Sequence, residues 1–451
     1  MTESVAVQEP AIKEPYVMTG VVCPYCGVTC DDLEVKVENG KITEVKNACV
    51  LGKDTFLHHL EGLSTPRLYG KPATVDACID AAAEILAKAK YPLIYGLDST
   101  ELGAQRASIE LADLIGANID HTSSVCHAPS YQAVMTVGIP TCTSGETKNR
   151  ADLVIFWGCN PAEAHPRHAT RYSVTVKGMF TPKGKKDRMV IQVDVRPTPT
   201  TRIADAFIQM KPNSDYEVIS ALRAILKGHE LQQTEVGGIP VDELKALVEK
   251  MKSCKFGIVY WGMGLTQTRG KYMNLVALLK LAQDLNQFTK FSCAAMRGHG
   301  NVVGMAQVLT WQTGYPFHVN MSRGYPRFNP GEFSVVDLLV RKEVDAALII
   351  AGDAIGNFPG GTAEHLKTIP LIAIDPKESD TTRVADIVIP AAQGAIGAGG
   401  MAYRMDHIPL MFKKVVESPY PSDREILDRI IAKVKVLKHR GNGASAQTGR
   451  D

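Results

Sequence analysis

The sequence predicts an α/β protein in which a small β-rich N-terminal module precedes two doubly wound α/β nucleotide-binding domains. Three observations support this fold class. From residue 76 onward, compact apolar strands that end in Gly or Asp turns alternate with helical segments. A polar segment recurs at two places with identical spacing, which suggests that the two domains are related by a pseudo-twofold axis. The first 65 residues instead carry four cysteines and the alternating apolar pattern of a hairpin.

The composition argues against several classes of function. The 451 residues suggest three domains or fewer large ones, and 45% hydrophobic with 22% charged residues is ordinary for a globular chain. A net charge of +2 argues against binding nucleic acid or membranes through bulk electrostatics. No apolar run reaches the roughly 18 residues of a membrane span. The N-terminus lacks a secretory pattern, so we expect a cytoplasmic protein with reduced thiols.

The cysteines of the first module have a C-x2-C-x3-C-x18-C spacing. Four thiolates arranged in this way are typical of a [4Fe–4S] cluster. A structural zinc site is the alternative, but its usual second C-x2-C pair is missing. Alternating apolar residues on both sides of Asn39-Gly40 predict a hairpin inside the long gap. The predicted cluster ligands are Cys23, Cys26, Cys30 and Cys49. Lys53 follows closely and could raise the potential of the cluster or bridge to a second redox group; without a cluster it would be an ordinary surface lysine.

Helices and strands alternate through the rest of the chain. Helical apolar spacing covers residues 75–90 and 101–120. In parallel sheets ligands bind at the carboxyl ends of the strands, so we expect the site in the turns that follow them. The predicted strands with their turns are residues 91–98, 152–161, 189–197, 256–265, 346–354 and 370–378.

The internal repeat is the most informative feature of this region. Residues 194–205 and 375–386 share an Asp, a Thr-Thr-Arg and an Ala-Asp at the same spacing. An Asp at a strand end can accept from a ribose hydroxyl or a guanine amine, and Thr and Arg suit phosphates. The repeat therefore predicts two similar ligands. Gene duplication without a retained ligand is the alternative.

Two further loops carry reactive residue types. Cys126 and His127 lie in a Ser/Pro-rich loop, where they could be a metal ligand or nucleophile or, equally, small structural residues. Residues 296–301 form a Gly-punctuated polar loop that contains Arg297.

Together these motifs resemble the oxidoreductases that carry molybdenum or tungsten on two pterin guanine dinucleotides. The four-Cys pattern with its Lys resembles their cluster module, and residues 157–166 resemble their guanine dinucleotide loop. The two repeats are similar to their paired nucleotide loops. Residues 297–304 and the Cys-His-x-Pro of residues 126–129 resemble the formate dehydrogenase branch. The resemblance covers about residues 20–410, with five motifs in the family's order.

The resemblance implies a set of site residues. Cys126 is expected to bind the molybdenum or tungsten, and His127 and Arg297 to act with it in catalysis. The expected cofactor-binding residues are Lys53, Gly158, Asn160, Pro161, His165, Asp194, Arg196, Thr200, Asp205, Gly262, Gly264, His299, Asn301, Gly352, Asp353, Asp375, Lys377, Thr381 and Asp386.

The resemblance also implies a domain layout. The cluster module spans residues 1–65. One dinucleotide-binding domain spans 66–125 and 331–435, the other spans 126–330, and 436–451 is a polar tail. The C-terminal β-barrel of most relatives is missing, so a separate barrel-type subunit is expected to cap the pterins. The other implied partners are an amidohydrolase subunit that handles formate and methanofuran and iron–sulfur subunits that deliver electrons.

The implied reaction is the reversible reduction of CO2 to formate. Cys126 would supply a thiolate beside four dithiolene sulfurs and a terminal sulfido or oxo group. Arg297 would hold the carboxylate, and His127 would orient the substrate or relay a proton. In this interpretation formate is condensed with methanofuran on another subunit, the first step of methanogenesis from CO2. A soluble formate dehydrogenase subunit and a cofactor-free scaffold remain the alternatives.

Overall fold

The structure is a computed structural model that describes residues 14–447, with side chains described to residue 439. The strands are β1 (Tyr16–Val21), β2 (Leu33–Glu38), β3 (Lys41–Lys46), β4 (Arg67–Leu68), β5 (Lys71–Pro72), β6 (Leu93–Gly96), β7 (Asn118–Ile119), β8 (Leu153–Trp157), β9 (Met189–Asp194), β10 (Ala206–Gln209), β11 (Glu235–Val236), β12 (Ile239–Pro240), β13 (Phe256–Trp261), β14 (Lys290–Ala295), β15 (Val319–Asn320), β16 (Arg327–Phe328), β17 (Ala347–Ile350), β18 (Leu371–Ile374), β19 (Ile387–Ile389), β20 (Gly400–Tyr403) and β21 (Pro409–Phe412).

The α-helices are α1 (Val50–Leu57), α2 (Val75–Lys88), α3 (Leu102–Ile115), α4 (Ala128–Val137), α5 (Ser144–Arg150), α6 (Pro161–Ala164), α7 (Asp215–Leu226), α8 (Val241–Ser253), α9 (Met263–Thr266), α10 (Tyr272–Leu285), α11 (Val302–Thr313), α12 (Val335–Val340), α13 (Ala354–Asn357), α14 (Gly360–Leu366), α15 (Asp380–Val384) and α16 (Asp423–Gln447). None of the helices within residues 14–447 combines the length and the apolar content that a membrane crossing needs.

The N-terminal module is a three-stranded antiparallel sheet in the order β1-β2-β3. Leu33, Val35 and Val37 of β2 are buried, as the alternating pattern predicts. Asn39 and Gly40 both have positive φ, which gives the tight turn between β2 and β3. The chain then reaches Cys49, which caps the N-terminus of α1.

The first large sheet has nine strands in the order β16-β15-β7-β6-β17-β18-β19-β4-β5. Its centre from β7 to β19 is parallel, and its edges are antiparallel. Successive residues of a strand face opposite sides, so Ile94 joins the core under α2, α3, α11 and α16, whereas Leu93 and Tyr95 join the core under α12 and α14. Helices therefore cover both faces, as a doubly wound fold requires.

The second sheet is fully parallel, with the order β10-β9-β8-β13-β14. Leu153, Ile155 and Trp157 of β8 face a core formed with α7, α8 and α10. Val154 and Phe156 face the other side, where they share one core with the buried residues of the cluster module. The module is thus packed directly on this sheet.

Two predicted boundaries differ from the structure. Residues 302–328 belong with the first sheet rather than the second, because Met305, Val308 and Leu309 of α11 pack into its core and β15 pairs with β7. The chain therefore leaves the second sheet at the end of β14. The predicted polar tail from residue 436 is also incorrect in its first part, because α16 continues to Gln447 and Leu437 packs against the first core.

Candidate active site

A cleft of about 1140 Å³ opens at the carboxyl ends of the strands. It is larger than the roughly 300–1,000 Å³ of most small-molecule pockets. The predicted residues that line it are Cys126, His127, Gly158, Asn160, His165, Gly262, Gly264, His299 and Lys377. Sequence reasoning missed Pro24, Tyr25, Leu51, Asp54, Thr55, His58, Glu61, Ser99, Cys159, Glu163, Ala164, Met263, Met296, Gly298 and Gln393. Both large sheets and the cluster module contribute to this lining.

Three glycines shape the wall formed by the second sheet. The Gly264 N–H donates to the Gly158 carbonyl at 3.0 Å, which joins the turns after β8 and β13. A Cβ atom on Gly264 would lie 2.7 Å from that oxygen, and one on Gly262 would lie 2.6 Å from the Cβ of Cys159. Because no side chain fits there, backbone rather than side chains forms this wall, as dinucleotide loops require.

The two repeats form the same hydrogen bonds in the two domains. In the first, the amide and hydroxyl of Thr200 donate to Asn160 Oδ1 at 3.2 and 2.7 Å. In the second, the amide and hydroxyl of Thr381 donate to Asp353 Oδ1 at 2.9 and 2.7 Å. Each threonine oxygen also accepts a backbone N–H, from Ala162 or from Ile355. This shared geometry supports two equivalent half-sites.

The same bonds correct the roles predicted for several repeat residues. The hydroxyls of Thr200 and Thr381 are used to fix the preceding loops, so they are not free phosphate donors. Asp205 accepts from the Val190 N–H and Asp386 accepts from the Leu371 N–H, at 2.7 and 2.9 Å. These amides begin their strands, at the end of the sheet opposite to the cleft. The prediction that Asp205 and Asp386 bind a dinucleotide is therefore wrong.

The leading residues of each repeat do lie at the carboxyl ends of the strands. Asp194 ends β9 and Asp375 follows β18. Burial raises the pKa of Asp375 to about 7, with neighbouring carboxylates adding to the effect. Lys377 donates through Nζ to the carbonyls of His58, His59 and Glu61, and so ties this repeat to the end of α1. Arg196, its counterpart, is exposed.

The remaining predicted cofactor residues lie outside the lining. The side-chain amide of Asn301 forms its hydrogen bonds within the protein: it donates to the Thr100 carbonyl and accepts from the Tyr403 N–H, both at 2.8 Å. Lys53 is exposed and does not line the cleft. The others outside it are Pro161, Gly352 and Asp353.

Cys126 lies just before α4, between the two domains. Its carbonyl accepts from the Thr266 hydroxyl and the Gln267 amide at 2.8 and 2.7 Å, so α9 holds the loop in place. Burial raises the pKa of the Cys126 thiol to about 12, although the positive charge of Arg297 opposes this shift. A bound metal cation would favour the thiolate instead, because only the deprotonated sulfur is a strong ligand.

His127 is buried, and both of its ring nitrogens have partners. Nε2 lies 3.1 Å from the Met296 carbonyl, to which it donates, and Nδ1 lies 3.3 Å from Ser130 Oγ. Burial and the charge of Arg297 lower its pKa to about 3, which keeps the ring neutral. These contacts favour an orienting role over a proton relay.

Arg297 is a buried cation of the site. It is 5% exposed, and its Cζ lies 4.3 Å from the ring centroid of Tyr131. Among the residues that the structure describes, none forms a hydrogen bond with its Nη1. A buried guanidinium nitrogen without a partner is costly, so an anion such as a carboxylate fits here.

A histidine of the second domain fixes the backbone of Arg297. Its carbonyl accepts from His165 Nε2 at 2.7 Å. Within the described part of the chain, the buried Nδ1 of His165 is left without a partner. Because His165 also lines the cleft, this nitrogen is available to a ligand.

The four N-terminal cysteines line one smaller cavity, together with Tyr25 and Arg167. Within residues 14–447, no three His, Cys, Asp or Glu side chains are grouped tightly enough for a single metal ion. Four thiols around a common space therefore fit a cluster better than one zinc ion. Burial raises the pKa of the Cys23 and Cys26 thiols, in the latter to about 12, so a cationic group is needed to make them thiolates.

The cysteine loop is joined to the Arg297 loop by backbone contacts. The Gly27 N–H donates to the Gly298 carbonyl at 3.1 Å, and Cys26 forms a β-bridge with His299. Tyr25 lies between the loops and lines both the cysteine cavity and the large cleft. The cavity and the cleft are thus direct neighbours.

Gly52 provides a test of the cluster assignment. A Cβ atom at Gly52 would lie 3.1 Å from Cys23 Sγ and 3.9 Å from Cys49 Sγ. In a helix Gly→Ala normally adds about 0.8–1.0 kcal/mol of stability. We expect Gly52→Ala to leave the free energy of unfolding of the cluster-free chain unchanged or slightly higher, yet to lower bound iron by more than half. Val50→Ala, at an exposed position of the same helix, is the control; equal iron in both variants would contradict the assignment.

The chain belongs to the molybdopterin oxidoreductase family, whose family model matches residues 78–431. It is 48% identical to the B subunit of the tungsten-containing formylmethanofuran dehydrogenase 2 of Methanocaldococcus jannaschii, over 93% of this chain and 99% of that protein. It is 43% identical to the Methanococcus maripaludis protein of the same name, over 94% and 100% of the two chains. These similarities confirm the predicted family.

Two solved structures show the same fold at low identity. One is the formyltransferase/hydrolase complex FhcABCD of Methylorubrum extorquens, with a TM-score of 0.69 and 22% identity over 83% of this chain and 99% of that chain. The other is acetylene hydratase of Pelobacter acetylenicus, with a TM-score of 0.73 and 14% identity over 94% and 70% of the two chains. They confirm the predicted α/β architecture.

Proposed function

We propose that this chain is the catalytic redox subunit of a formylmethanofuran dehydrogenase and reversibly reduces CO2 to formate. The observation that carries the proposal is the juxtaposition of a thiol, Cys126, with the buried guanidinium of Arg297, whose Nη1 has no partner among the described residues. Cys126 lines a cleft walled by two equivalent sets of strand-end loops, and Met296 and Gly298, the residues on either side of Arg297, line it as well. Family membership and the names of the two relatives support the same conclusion.

The residues present fit the cofactors of this family. The glycine wall and the paired repeats are suited to two pterin guanine dinucleotides, and Cys126 is suited to a soft metal. The four-cysteine cavity is suited to a [4Fe–4S] cluster. When bound, a tungsten or molybdenum centre would supply two-electron redox chemistry; the relatives' names favour tungsten.

The protein's own part is to bind and orient the substrate. Reduction of CO2 to formate takes two electrons and one proton and creates a carboxylate. Arg297 would pair with that carboxylate through Nη1, and the stacked Tyr131 ring holds the guanidinium plane in position. Because the guanidinium is almost fully buried, its attraction for the developing charge is little screened by water.

His127 would act through its position rather than its charge. Its neutral ring is fixed by Ser130 and by the Met296 carbonyl, next to Arg297. It therefore holds together the Cys126 loop and the Arg297 loop, whose relative placement determines how carboxylate and thiol face each other.

We also propose that the chain works inside a larger complex. The expected partners are a barrel-type subunit that caps the pterins, an amidohydrolase subunit that uses formate and methanofuran, and iron–sulfur subunits that deliver electrons. The similar fold found in the complex FhcABCD supports assembly of this kind. Between Phe412 and Gln447 the structure holds one helix, α16, and no strand that could belong to a barrel.

The test is to purify the protein from its source without denaturant, and to measure its metals, its companion chains and its CO2 reduction. We expect tungsten or molybdenum, iron, a co-purifying barrel-type chain in native mass spectrometry, and formate production with a low-potential reductant. Metal-free protein in an intact complex would instead indicate a cofactor-free scaffold. An active 48.9 kDa chain with no companion would indicate a formate dehydrogenase and refute the complex.

A further inference from the structure

Arg167 lies at the wall of the four-cysteine cavity, far from the four cysteines in sequence. Its Nη1 and Nη2 atoms donate to the two oxygens of Asp32, each at 2.6 Å, in a bidentate pair. Asp32 follows Cys30 by two residues, so the pair fixes the guanidinium beside one corner of the cavity. Neither residue belongs to a motif that the sequence singles out.

A second arginine strengthens this corner. Arg171 donates to Asp31 at 2.6 Å and also contacts Asp32. The side chains of Arg167 and Arg171 are 19% and 17% exposed, so both cations are largely removed from solvent. The two acids balance the two cations overall, but Arg167 is the arginine that lines the cavity with the thiols.

The positive charge lies on one side of the cavity. Among the described residues that line the cavity, Arg167 is the only Arg, Lys, Asp or Glu. Its bidentate pair with Asp32, two residues after Cys30, fixes this charge near Cys30 rather than near Cys23, Cys26 or Cys49. The cavity is therefore electrostatically uneven.

This asymmetry has a consequence for a bound cluster. When one electron from an external donor enters a [4Fe–4S] cluster, no bond forms or breaks and its net charge falls by one. A fixed positive charge, or an N–H aimed at a ligand sulfur, stabilises the more negative reduced form. A fixed carboxylate has the opposite effect. Contacts outside the ligands can thus set the reduction potential.

We infer that Arg167 is a tuning residue that raises the reduction potential of the cluster held by Cys23, Cys26, Cys30 and Cys49, and that Asp32 lowers it. The inference rests on the proposed presence of this cluster. It assigns to Arg167 the electrostatic part that the sequence assigned to Lys53, which is exposed and lines neither cavity.

The test is a potentiometric EPR titration of the cluster in the purified complex, with dithionite and mediator dyes, for Arg167→Gln and Asp32→Asn. We expect midpoint shifts of opposite sign, downward for Arg167→Gln and upward for Asp32→Asn. At a fixed potential the ratio of oxidised to reduced cluster should change about tenfold, which is about 59 mV for one electron. Arg424→Gln is the control: it removes a partly exposed arginine that pairs with Asp428 and does not line the cysteine cavity, and the midpoint should not shift.

Midpoint shifts of opposite sign distinguish electrostatic tuning from a general loosening of the cluster module. Loosening would shift the midpoints of both variants in the same direction. If Arg167→Gln fails to hold iron, Asp32→Asn still decides, because an unchanged or lower midpoint there overturns the inference. A wild-type complex without cluster iron overturns the proposed cluster and the inference together. A wild-type cluster with unshifted variants overturns the inference alone.

Discussion

Cys126→Ser is expected to lower the rate of CO2 reduction to the background rate, while the EPR signal of the cluster remains. A serine oxygen is a harder donor than a thiolate and binds a soft metal poorly. The change leaves the backbone contacts of the loop intact, because Thr266 and Gln267 bind the Cys126 carbonyl rather than its side chain. The measurements are CO2-dependent formate production, metal content and EPR of the same preparation.

Cys254→Ser is a suitable control for this variant. Cys254 is also a half-buried free thiol, but it donates to the Met251 carbonyl and does not line the cleft. We expect normal turnover in the control. Near wild-type turnover in Cys126→Ser would show that this thiol does not bind the catalytic metal.

Arg297→Lys is expected to lower kcat/KM for formate oxidation by about 100- to 900-fold. This corresponds to roughly 2.7–4 kcal/mol, the range for loss of one preorganised donor, at 1.36 kcal/mol per tenfold. A lysine carries the same charge but lacks the planar fork, and it cannot stack as a plane on Tyr131. The substitution should affect kcat as well as KM, because the carboxylate is formed or consumed at this group.

Steady-state kinetics in both directions measure this effect. Arg106→Lys, at an exposed position of α3, is the matched control and should retain wild-type kinetics. A rate for Arg297→Lys within twofold of wild type would place the Arg297 loop outside the substrate pocket.

The repeat shows what can and cannot be predicted from this sequence. Its recurrence indicated two equivalent half-sites, and Thr200 and Thr381 do make equivalent bonds. Its final Asp residues were assigned to the ligand because they recur, yet each bonds to the start of a strand. A recurring residue can be kept for a shared fold as well as for a shared ligand. Which end of the sheet the residue lies at depends on the length of the loop and helix before it.

Contacts between distant segments could not be predicted either. The Arg167–Asp32 pair joins residues 135 positions apart, and Tyr131 stacks under a guanidinium from a loop that is remote in sequence. Local spacing pointed to the four N-terminal thiols, because a set of ligands has a signature, and the family resemblance pointed to Cys126 and Arg297. The residues that set their charge and orientation have none, since they are defined only by packing.

The backbone contacts between the cysteine loop and the Arg297 loop couple the two regions mechanically. A Cβ atom on Gly27 would lie 2.5 Å from the Arg297 carbonyl oxygen, so the two loops approach each other to a distance that only glycine allows. A displacement of the cysteine loop would therefore also displace the backbone of Arg297. If the proposed cluster fixes the cysteine loop, we expect oxygen damage to the cluster to impair the proposed substrate site at the same time.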